Sequence, residues 1–466
     1  MTPLFDRFLC VAGATPDAVA LTQGNVNVRF SDLVLRAGAL RETFLCMGVG
    51  PSRPLVVASP NDPEVAAAVI AAWGLGSLPV FVSPNAPDGH LEYVVSHSHA
   101  AAVISGQEPP QRCPPSSAHP DLSADVGSVV FTSGSTGRPK GVMQTHANLI
   151  NGAERIGRLN GYGPMDGILC PVPWSHDYGW GQLLSCLVLG NRLILPEVSS
   201  VQALANAIEC HRPTILAGTP SVFAGMLYGI SDIRNADLSS VQKVTSTGSH
   251  LSPELVEDLE VLLPGVKVYA NYGLTETYRS CCLTPNLRKG RELSVGLPVE
   301  GVEIRIIGPD GATLPPGEVG QVVHIGAGRF LGYLGDPART AASRHESGGV
   351  LTGDMGYLDS QGFLFLRGRK DRVIKSMDVQ VSLDEVERIL ASARLTRQVA
   401  VIARPHKVIG MKIEAHVVLK SDVDVAVFKK FARQSLSKFQ LPREFIFTHA
   451  LPMTASGKVD YVTLSK

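Results

Sequence analysis

Residues 130–142 read Val-Phe-Thr-Ser-Gly-Ser-Thr-Gly-Arg-Pro-Lys-Gly-Val, a stretch of small hydroxyl residues and glycines around one lysine. Glycines leave backbone amides uncovered, hydroxyls donate hydrogen bonds, and Lys140 adds a positive charge, so the stretch favours a loop that binds phosphate oxygens. The apolar lead-in, residues 125–131, predicts a buried strand that delivers this loop. It is not a Walker A loop, because Pro139 stands where that motif has its second glycine. A flexible surface turn is the alternative interpretation.

The composition excludes several classes of protein. A chain of 466 residues is too long for one ordinary core, so we expect two or more domains. Lys plus Arg equals Asp plus Glu at 42 each, so no bulk charge favours nucleic acid or an anionic membrane. The most apolar run, residues 65–82, is broken by Gly74 and Pro79 and predicts a helix and a strand rather than a membrane span. The eight cysteines form no C-x-x-C pair, which favours reduced, structural cysteines and a cytoplasmic location.

The order of predicted elements indicates an α/β fold. Residues 55–58 predict a strand, Asp62 and Pro63 begin a helix that runs to Trp73, and residues 80–82 predict the next strand. Such alternation is typical of a mainly parallel sheet that helices cover on both faces. Short strands and glycine turns from Val302 onward predict a β-rich subdomain.

A basic run at residues 367–372 suggests a domain boundary. Beyond it, helices near 382–393 and 427–437 and a strand near 415–419 predict a small α+β domain. We therefore expect a large N-terminal domain at residues 1–367 and a smaller C-terminal domain at residues 368–466.

Three further motifs follow the glycine-rich loop. They are Asn-Tyr-Gly-Leu-Thr-Glu at 271–276, the pair Leu-Thr-Gly-Asp at 351–354 and Gly-Arg-Lys-Asp-Arg-Val-Ile-Lys at 368–375, and Leu-Pro-Met-Thr-Ala-Ser-Gly-Lys at 451–458. Their order and spacing resemble the adenylate-forming (ANL) superfamily, which includes acyl-CoA synthetases, the adenylation domains of peptide synthetases and luciferase-like AMP-binding enzymes. The resemblance runs from about Phe5 to Lys466.

The resemblance implies an ATP site. The residues it assigns to the phosphates are Thr132, Ser133, Gly134, Ser135, Thr136, Gly137 and Lys140. Tyr272 would stack on adenine, and the remaining residues around the nucleotide would be Gly248, Ser249, His250, Asn271 and Gly273. Thr275 would bind the α-phosphate and Glu276 would ligate Mg2+.

Other roles fall near the C-terminus. The resemblance implies that Asp354 binds the ribose with help from Arg369, that Asp371 is the hinge, and that Lys458 is a catalytic lysine on a mobile C-terminal domain. Capping of a turn by Asp354 and a solvated basic face around Arg369 are the alternatives. The implied reaction joins a carboxylate to AMP and releases pyrophosphate, after which the domain turns about its hinge.

The segment Pro-Trp-Ser-His-Asp-Tyr-Gly-Trp at 173–180 bears on the acid substrate. His176 matches a histidine of acyl-CoA synthetases and is a candidate catalytic residue, whereas Asp177 falls where amino-acid-activating domains bind the α-ammonium group. By the same resemblance, the other acyl-pocket residues are Tyr178, Gly181, Thr245, Thr247, Arg279 and Ser280. This polar set predicts a small polar or amino acid substrate. The alternative is that Asp177 and Arg279 pair with each other and contact no substrate.

The second half-reaction is less determined by the sequence. The resemblance implies transfer to the thiol of CoA or of a carrier-protein phosphopantetheine. Asp378, however, stands where the family has a glycine beside the pantetheine channel, which leaves an amide-forming ligase open. A non-catalytic nucleotide-binding homologue is a further alternative, although Glu276 and Lys458 are both present. Tyr461 replaces an arginine of many members.

Overall fold

The computed structural model describes residues 2–86, 89–106, 108–132, 139–197, 200–229, 233–376, 379–406, 410–421, 423–453 and 459–465. The predicted site residues Ser133, Gly134, Ser135, Thr136, Gly137 and Lys458, and also Asp378, lie outside these ranges. The chain forms two compact units, one of Met1–Ile304 with His324–Val350 and one of Arg305–Val323 with Leu351–Lys466. The boundary after residue 367 and the mobility of the C-terminal domain stay predictions.

The secondary structure alternates between strands and helices over most of the first unit. The strands are β1 Val19–Gln23, β2 Val26–Arg29, β3 Leu55–Ala58, β4 Pro79–Phe81, β5 Ala102–Ser105, β6 Gln111–Arg112, β7 Val126–Thr132, β8 Lys140–Thr145, β9 Gly167–Leu169, β10 Arg192–Leu195, β11 Ile215–Gly218, β12 Lys243–Ser246, β13 Lys267–Tyr272, β14 Cys281–Leu283, β15 Leu297–Pro298, β16 Val302–Ile307, β17 Gly320–Gly326, β18 Gly332–Tyr333, β19 Val350–Leu358, β20 Leu364–Arg369, β21 Val373–Ser376, β22 Val379–Ser382, β23 Thr396–His406, β24 Gly410–Leu419 and β25 Glu444–Phe447. The helices are α1 Pro3–Ala14, α2 Phe30–Met47, α3 Pro63–Gly74, α4 His90–His97, α5 His146–Asn160, α6 Asp177–Leu189, α7 Val201–His211, α8 Pro220–Tyr228, α9 Pro253–Leu262, α10 Pro337–Ala342, α11 Leu383–Ala391, α12 Val425–Ser435 and α13 Tyr461–Leu464, with 3-10 turns at Pro285–Leu287 and Lys370–Arg372.

Two large sheets organise the first unit. One has nine strands in the order β15-β14-β13-β12-β11-β9-β10-β1-β2, and the other has seven in the order β18-β8-β7-β4-β3-β5-β6. The inner pairs of both sheets are parallel, whereas β2, β6, β8, β14, β15 and β18 pair antiparallel at or near the edges. The predicted α/β architecture with mainly parallel sheets is therefore confirmed.

The predicted strand-helix-strand segment shows why the pattern was informative. The Asp62 carboxylate accepts a hydrogen bond from the Glu64 amide at 2.8 Å and caps α3, and Pro63 occupies the first turn. Helix α3 is buried on all sides, which explains its apolar run, and Trp73 donates from Nε1 to the Gly127 carbonyl oxygen at 2.9 Å. Among the described residues, no helix is long and apolar enough to cross a membrane.

All eight cysteines are free, as expected. Burial raises the pKa of the Cys170, Cys186 and Cys282 thiols to about 12, so these three are inert packing groups. Cys10, Cys46 and Cys210 are exposed, so the predicted structural role does not extend to these three as core residues.

The second unit contains the β-rich subdomain and the small α+β fold that the sequence predicted. Its four-stranded sheet has the order β16-β17-β19-β20, and its C-terminal sheet has the order β22-β21-β24-β23 with β25 beside β24. The Ser382 hydroxyl caps α11 by accepting from the Glu385 amide at 3.2 Å. Helices α11 and α12 bury Val386, Leu390 and Phe428 in the core of this sheet.

Tyr461 has a structural role that its sequence context did not reveal. Its hydroxyl donates to the Glu387 carboxylate, with O···O distances of 2.7 and 2.8 Å. Arg372 lies over the Tyr461 ring at 4.0 Å, donates to Glu387 at 3.1 Å, and pairs with Asp384. Tyr461 therefore holds the last helix of the chain to the segment that follows the predicted hinge residue.

Burial raises the pKa of Glu387 from 4.5 to about 7, although Arg372, Tyr461 and the Val401 amide oppose the shift. Between those pH values the folded carboxyl keeps a proton that the unfolded one releases. Raising the pH from 5 to 8 therefore lowers the free energy of unfolding.

We expect Glu387→Gln to remove this pH dependence. The free energy of unfolding of the wild type relative to Glu387→Gln should fall between pH 5 and pH 8 by on the order of 1–3 kcal/mol. Urea denaturation followed by fluorescence at several pH values measures it. Glu385→Gln, on the same helix but less buried, is the control. It should leave the dependence of the free energy of unfolding on pH as it is in the wild type. A difference that is constant with pH would contradict the raised pKa.

Candidate active site

A buried carboxylate of the first unit, that of Glu276, is contacted by two other polar side chains. Glu276 is 9% exposed, and its Oε1 accepts from the Lys140 ammonium at 2.5 Å and from the Tyr333 hydroxyl at 2.8 Å. The ammonium also donates to the Tyr333 oxygen at 3.1 Å and lies 4.8 Å from the centroid of that ring. Lys140 and Glu276, which the sequence predicted as separate phosphate and magnesium ligands, therefore form an ion pair. Tyr333, which joins them, was missed.

The fold brings these three side chains together from distant parts of the chain. Lys140 is the first residue of β8 and lies opposite Thr132 in a hairpin with β7, so the glycine-rich stretch joins two antiparallel strands. Tyr333 lies on β18, which pairs with β8 opposite Val142. Glu276 follows β13 of the other sheet, and its carbonyl oxygen accepts from the Phe330 amide at 2.8 Å. The signal for Tyr333 is in the sheet order rather than in any local motif.

A cleft opens beside the end of β13. Its lining residues are Ser246, Ser249, His250, Leu251, Pro253, Val256, Val268, Ala270, Asn271, Leu283, Arg288, Glu292, Ser294 and Val295. Ser249, His250 and Asn271 were predicted as nucleotide-binding residues, and the structure places all three at this cleft.

Asn271 gives the cleft a recognition group. It is 8% exposed, and both its amide nitrogen and its amide oxygen are buried without a hydrogen-bond partner among the described residues. A buried amide in this state favours a ligand that offers both a donor and an acceptor, as the edge of a purine does.

Among the other predicted nucleotide residues, Tyr272, Gly248 and Thr275 lie close in sequence to those at the cleft, whereas Thr132 comes from β7. Tyr272 is 8% exposed, Gly248 adopts a left-handed φ of +96°, and the Thr275 carbonyl oxygen accepts from Gln144 at 2.8 Å. The Thr132 hydroxyl is buried without a hydrogen-bond partner among the described residues.

Within the described part of the chain, no group of three or more His, Cys, Asp or Glu side chains is arranged to hold a metal ion. Glu276 alone suits Mg2+, which is commonly held by one or two carboxylates together with substrate phosphates and water.

Asp177 and Arg279 meet near the start of α6. Asp177 Oδ2 lies 3.6 Å from Arg279 Nη1, and Asp177 Oδ1 lies 2.9 Å from Nδ1 of His176. Because Asp177 is in the first turn of its helix, the helix dipole also favours its negative charge. The predicted pairing of Asp177 with Arg279 is therefore present in the structure.

A second, smaller cleft adjoins Arg279. Its lining residues are Ala153, Ile156, Tyr162, Gly181, Gln182, Ser185, Tyr278 and Arg279. Of the predicted acyl-pocket residues, Gly181 and Arg279 line this cleft. Ser185 was missed, although it lies one helical turn after Gly181 on α6. Gln182, which directly follows Gly181, and Tyr278, which precedes Arg279, were missed as well.

Three of the remaining predicted acyl-pocket residues, Tyr178, Thr245 and Ser280, form hydrogen bonds within the protein. The Tyr178 hydroxyl lies 2.7 Å from the Thr245 carbonyl oxygen and 2.6 Å from its hydroxyl, and Tyr162 lies 3.2 Å from the same hydroxyl. Ser280 is fully buried, 3.0 Å from Nδ1 of His324. Burial lowers the pKa of His324 to about 4, so this histidine is neutral at physiological pH. Thr247 is 4% exposed.

The second unit contains the predicted ribose ligands. Asp354 on β19 lies opposite Arg369 on β20, and Arg369 Nη1 donates to Asp354 Oδ1 at 3.1 Å. Arg369 Nε also lies 3.6 Å from Oδ1 of Asp371, the predicted hinge residue. Asp354 is 7% exposed, so the arginine orients a largely buried carboxylate.

Comparison with known proteins gives related sequences and a related structure. The chain is 27% identical to tyrocidine synthase 3 of Brevibacillus parabrevis over 97% of its length, and 30% identical to a long-chain-fatty-acid–CoA ligase of Bacillus subtilis (strain 168) over 73%. It spans only 7% of the first relative and 61% of the second. The chain also resembles the structure of o-succinylbenzoate CoA synthetase from Bacillus subtilis in complex with the acyl-adenylate intermediate OSB-AMP, with a TM-score of 0.86 and 24% sequence identity. The superposition covers 99% of this chain and 98% of the synthetase chain, which shows that the two have the same fold.

Two family profiles cover most of the sequence. The profile of the AMP-binding enzymes matches residues 10–119 and 105–334, and that of the AMP-binding enzyme C-terminal domain matches residues 385–458. The chain belongs to the AMP-binding enzyme family.

Proposed function

We propose that this protein activates a small polar carboxylic or amino acid by joining it to AMP, with ATP as the nucleotide and release of pyrophosphate. The observation that carries the proposal is that ten consecutive residues, 271–280, contribute to three polar features found among the described residues of the first unit. Asn271 lines the larger cleft, Glu276 forms the ion pair with Lys140, and Tyr278 and Arg279 line the smaller cleft. A nucleotide in the larger cleft and an acid in the smaller one would meet along this segment.

Charge explains what the segment must do. A carboxylate and a phosphate, two anions about 4 Å apart, repel by about 4 kcal/mol at an effective dielectric constant of 20. On this proposal Lys140 would pair with the phosphates instead of Glu276, and Glu276 would be the residue that holds Mg2+. Bound Mg2+ would neutralise phosphate oxygens and stabilise the departing pyrophosphate.

The proposed reaction has two steps. A carboxylate oxygen of the acid attacks the α-phosphorus of ATP, the bond from that phosphorus to pyrophosphate breaks, and an acyl-adenylate forms. A thiol sulfur then attacks the acyl carbon and AMP leaves. We assign the ribose to Asp354 and Arg369, the α-phosphate to Thr275 and Lys458, and a role at the acid to His176.

The acceptor belongs to the same proposal. We favour the thiol of CoA or of a carrier-protein phosphopantetheine, since the 30%-identical relative is a CoA ligase and the 27%-identical one is a synthase of tyrocidine. Transfer to an amine is the second candidate, because Asp378 replaces a glycine that the resemblance places beside the thiol channel. A cytoplasmic location remains a prediction.

The proposal is tested first by exchange of labelled pyrophosphate into ATP. Small polar or amino acids should support Mg2+-dependent exchange, and alkanoic acids of equal length should support much less. Subsequent addition of CoA, a carrier protein or an amine identifies the acceptor. Exchange with long alkanoic acids alone would contradict the polar substrate class.

We expect Lys458→Ala to separate the two half-reactions. Adenylation, measured by pyrophosphate exchange, should fall by about 10²–10³-fold because a cation is lost at the α-phosphate. Transfer from a supplied acyl-adenylate should change by no more than a few fold. Lys430→Ala, which removes an exposed lysine of α12, is the control. Equal losses in both half-reactions would contradict the role of Lys458.

We also expect the Lys140–Glu276 pair to show coupling in stability. Lys140→Met leaves a buried carboxylate without its cation, and Glu276→Gln leaves the cation without its carboxylate, so each should lower the free energy of unfolding. The double variant should lose about 1–3 kcal/mol less than the sum of the single losses. Urea denaturation measures all four proteins. Additive losses would show that the interaction between Lys140 and Glu276 does not contribute to the free energy of unfolding.

A further inference from the structure

The ring of Tyr278 forms part of the wall of the smaller cleft of the first unit. Tyr278 is 8% exposed and lines this cleft between residues of α5, such as Ile156, and residues of α6, such as Gln182. The resemblance assigned its neighbours Arg279 and Ser280 to the substrate but did not assign Tyr278.

Two glycines, one on each helix, make room for this ring. A Cβ atom placed on Gly152 of α5 would lie 2.8 Å from Cε1 and 2.9 Å from Cδ1 of Tyr278. A Cβ atom placed on Gly181 of α6 would lie 3.5 Å from the Tyr278 hydroxyl oxygen. The ring therefore packs edge-on against the α5 backbone and reaches towards α6 with its hydroxyl, so it closes the space between the two helices.

The backbone holds Tyr278 in an unusual conformation. Its φ is +58°, in the left-handed region that bulky residues rarely adopt. The Ser280 amide donates to the Tyr272 carbonyl oxygen at 2.8 Å, and a Cβ on Gly273 would lie 2.9 Å from the Tyr278 carbonyl oxygen. This close approach of the two arms of the turn fixes the direction of the side chain. Strained residues of this kind concentrate at ligand sites.

The Tyr278 hydroxyl differs from the other phenols of the region. Tyr178 and Tyr162 are both hydrogen-bonded to Thr245, whereas the Tyr278 hydroxyl has no hydrogen-bond partner among the described residues. Burial raises the pKa of Tyr278 to about 12, so its O–H remains a donor at physiological pH. Gln182 is 3% exposed, and its amide oxygen is buried without a described partner. Nε of Arg279, which also lines the cleft, is a second buried donor without a described partner, so the cleft offers two donors and one acceptor.

We propose that Tyr278 determines which acids this site accepts: its ring limits the length of the acid, and its hydroxyl binds a polar group at the distal end. The inference rests on the proposed function. The substrate class is then a short acid with a distal hydroxyl, amide, amino or carboxyl group. A longer alkyl chain would collide with the ring and leave these polar groups unpaired.

Binding separates this inference from catalysis. The probes are 5′-O-(N-acylsulfamoyl)adenosines, in which a straight acyl chain is attached to the sulfamoyl nitrogen. The chains have graded lengths and end in either an apolar group or a hydroxyl, and calorimetry measures the Kd of each probe. The wild type should bind a short hydroxyacyl probe at least tenfold more tightly than the apolar probe of equal length or a longer chain. Tyr278→Ala should reverse the length preference by tenfold or more. Tyr278→Phe should keep the length limit and lose most of the preference for the hydroxyl.

The packing of the Tyr278 ring against Gly152 can be tested separately. Gly152→Ala should weaken binding of the short probe in the wild type, because its methyl group displaces the Tyr278 ring, and should be tolerated in the Tyr278→Ala background. Melting temperatures verify that each variant is folded, and Tyr228→Phe, at an exposed tyrosine, is the control. An unchanged length profile in Tyr278→Ala would overturn the inference. Tight binding of the predicted probes without any pyrophosphate exchange would support it while contradicting the proposed function.

Discussion

The arrangement of the two large sheets in the first unit depends on one interaction, the neutralisation of the buried carboxylate of Glu276. Glu276 follows a strand of the nine-stranded sheet, and the groups that satisfy it, Lys140 and Tyr333, lie on adjacent strands of the seven-stranded sheet. Two further hydrogen bonds, from Gln144 on β8 to Thr275 and from Phe330, which precedes β18, to Glu276, join the same parts of the chain. Leaving this carboxylate unpaired would cost several kcal/mol, so the two sheets are held in one arrangement at the site where the proposed chemistry takes place.

The same interaction gives the site its chemical logic. An ammonium paired with a carboxylate presents little net charge to an approaching anion. On the proposed function, the triphosphate competes with Glu276 for Lys140, and a divalent cation competes with Lys140 for Glu276. The two exchanges favour each other, because each one alone leaves a buried charge unpaired. Nucleotide and cation are therefore expected to bind cooperatively, with the ion pair as the state that they replace.

Local sequence patterns predicted the parts of the fold that local physics controls. The cap at Asp62, the proline at the first turn and the apolar run up to Trp73 were sufficient to predict α3, and the boundaries of β3 were correct. The roles of Lys140 and Glu276 in nucleotide binding stay predictions. Their mutual contact was not predictable locally, because 136 residues separate the two partners and only the sheet order joins them. Tyr278 was missed for a similar reason, since its position depends on glycines of two different helices. The cluster of Tyr461, Glu387 and Arg372 likewise depends on packing within the C-terminal sheet.

The proposed reaction requires that the acid's own carboxylate attack the α-phosphorus of ATP, which an oxygen label on the acid can follow. An acid carrying ¹⁸O in both carboxylate oxygens would be incubated with the protein, ATP, Mg2+ and the acceptor, and the mass of the released AMP would be measured. The account predicts AMP that carries one ¹⁸O atom and pyrophosphate that carries none. Label in inorganic phosphate or pyrophosphate, with unlabelled AMP, would place the attack at another phosphorus and would contradict the account.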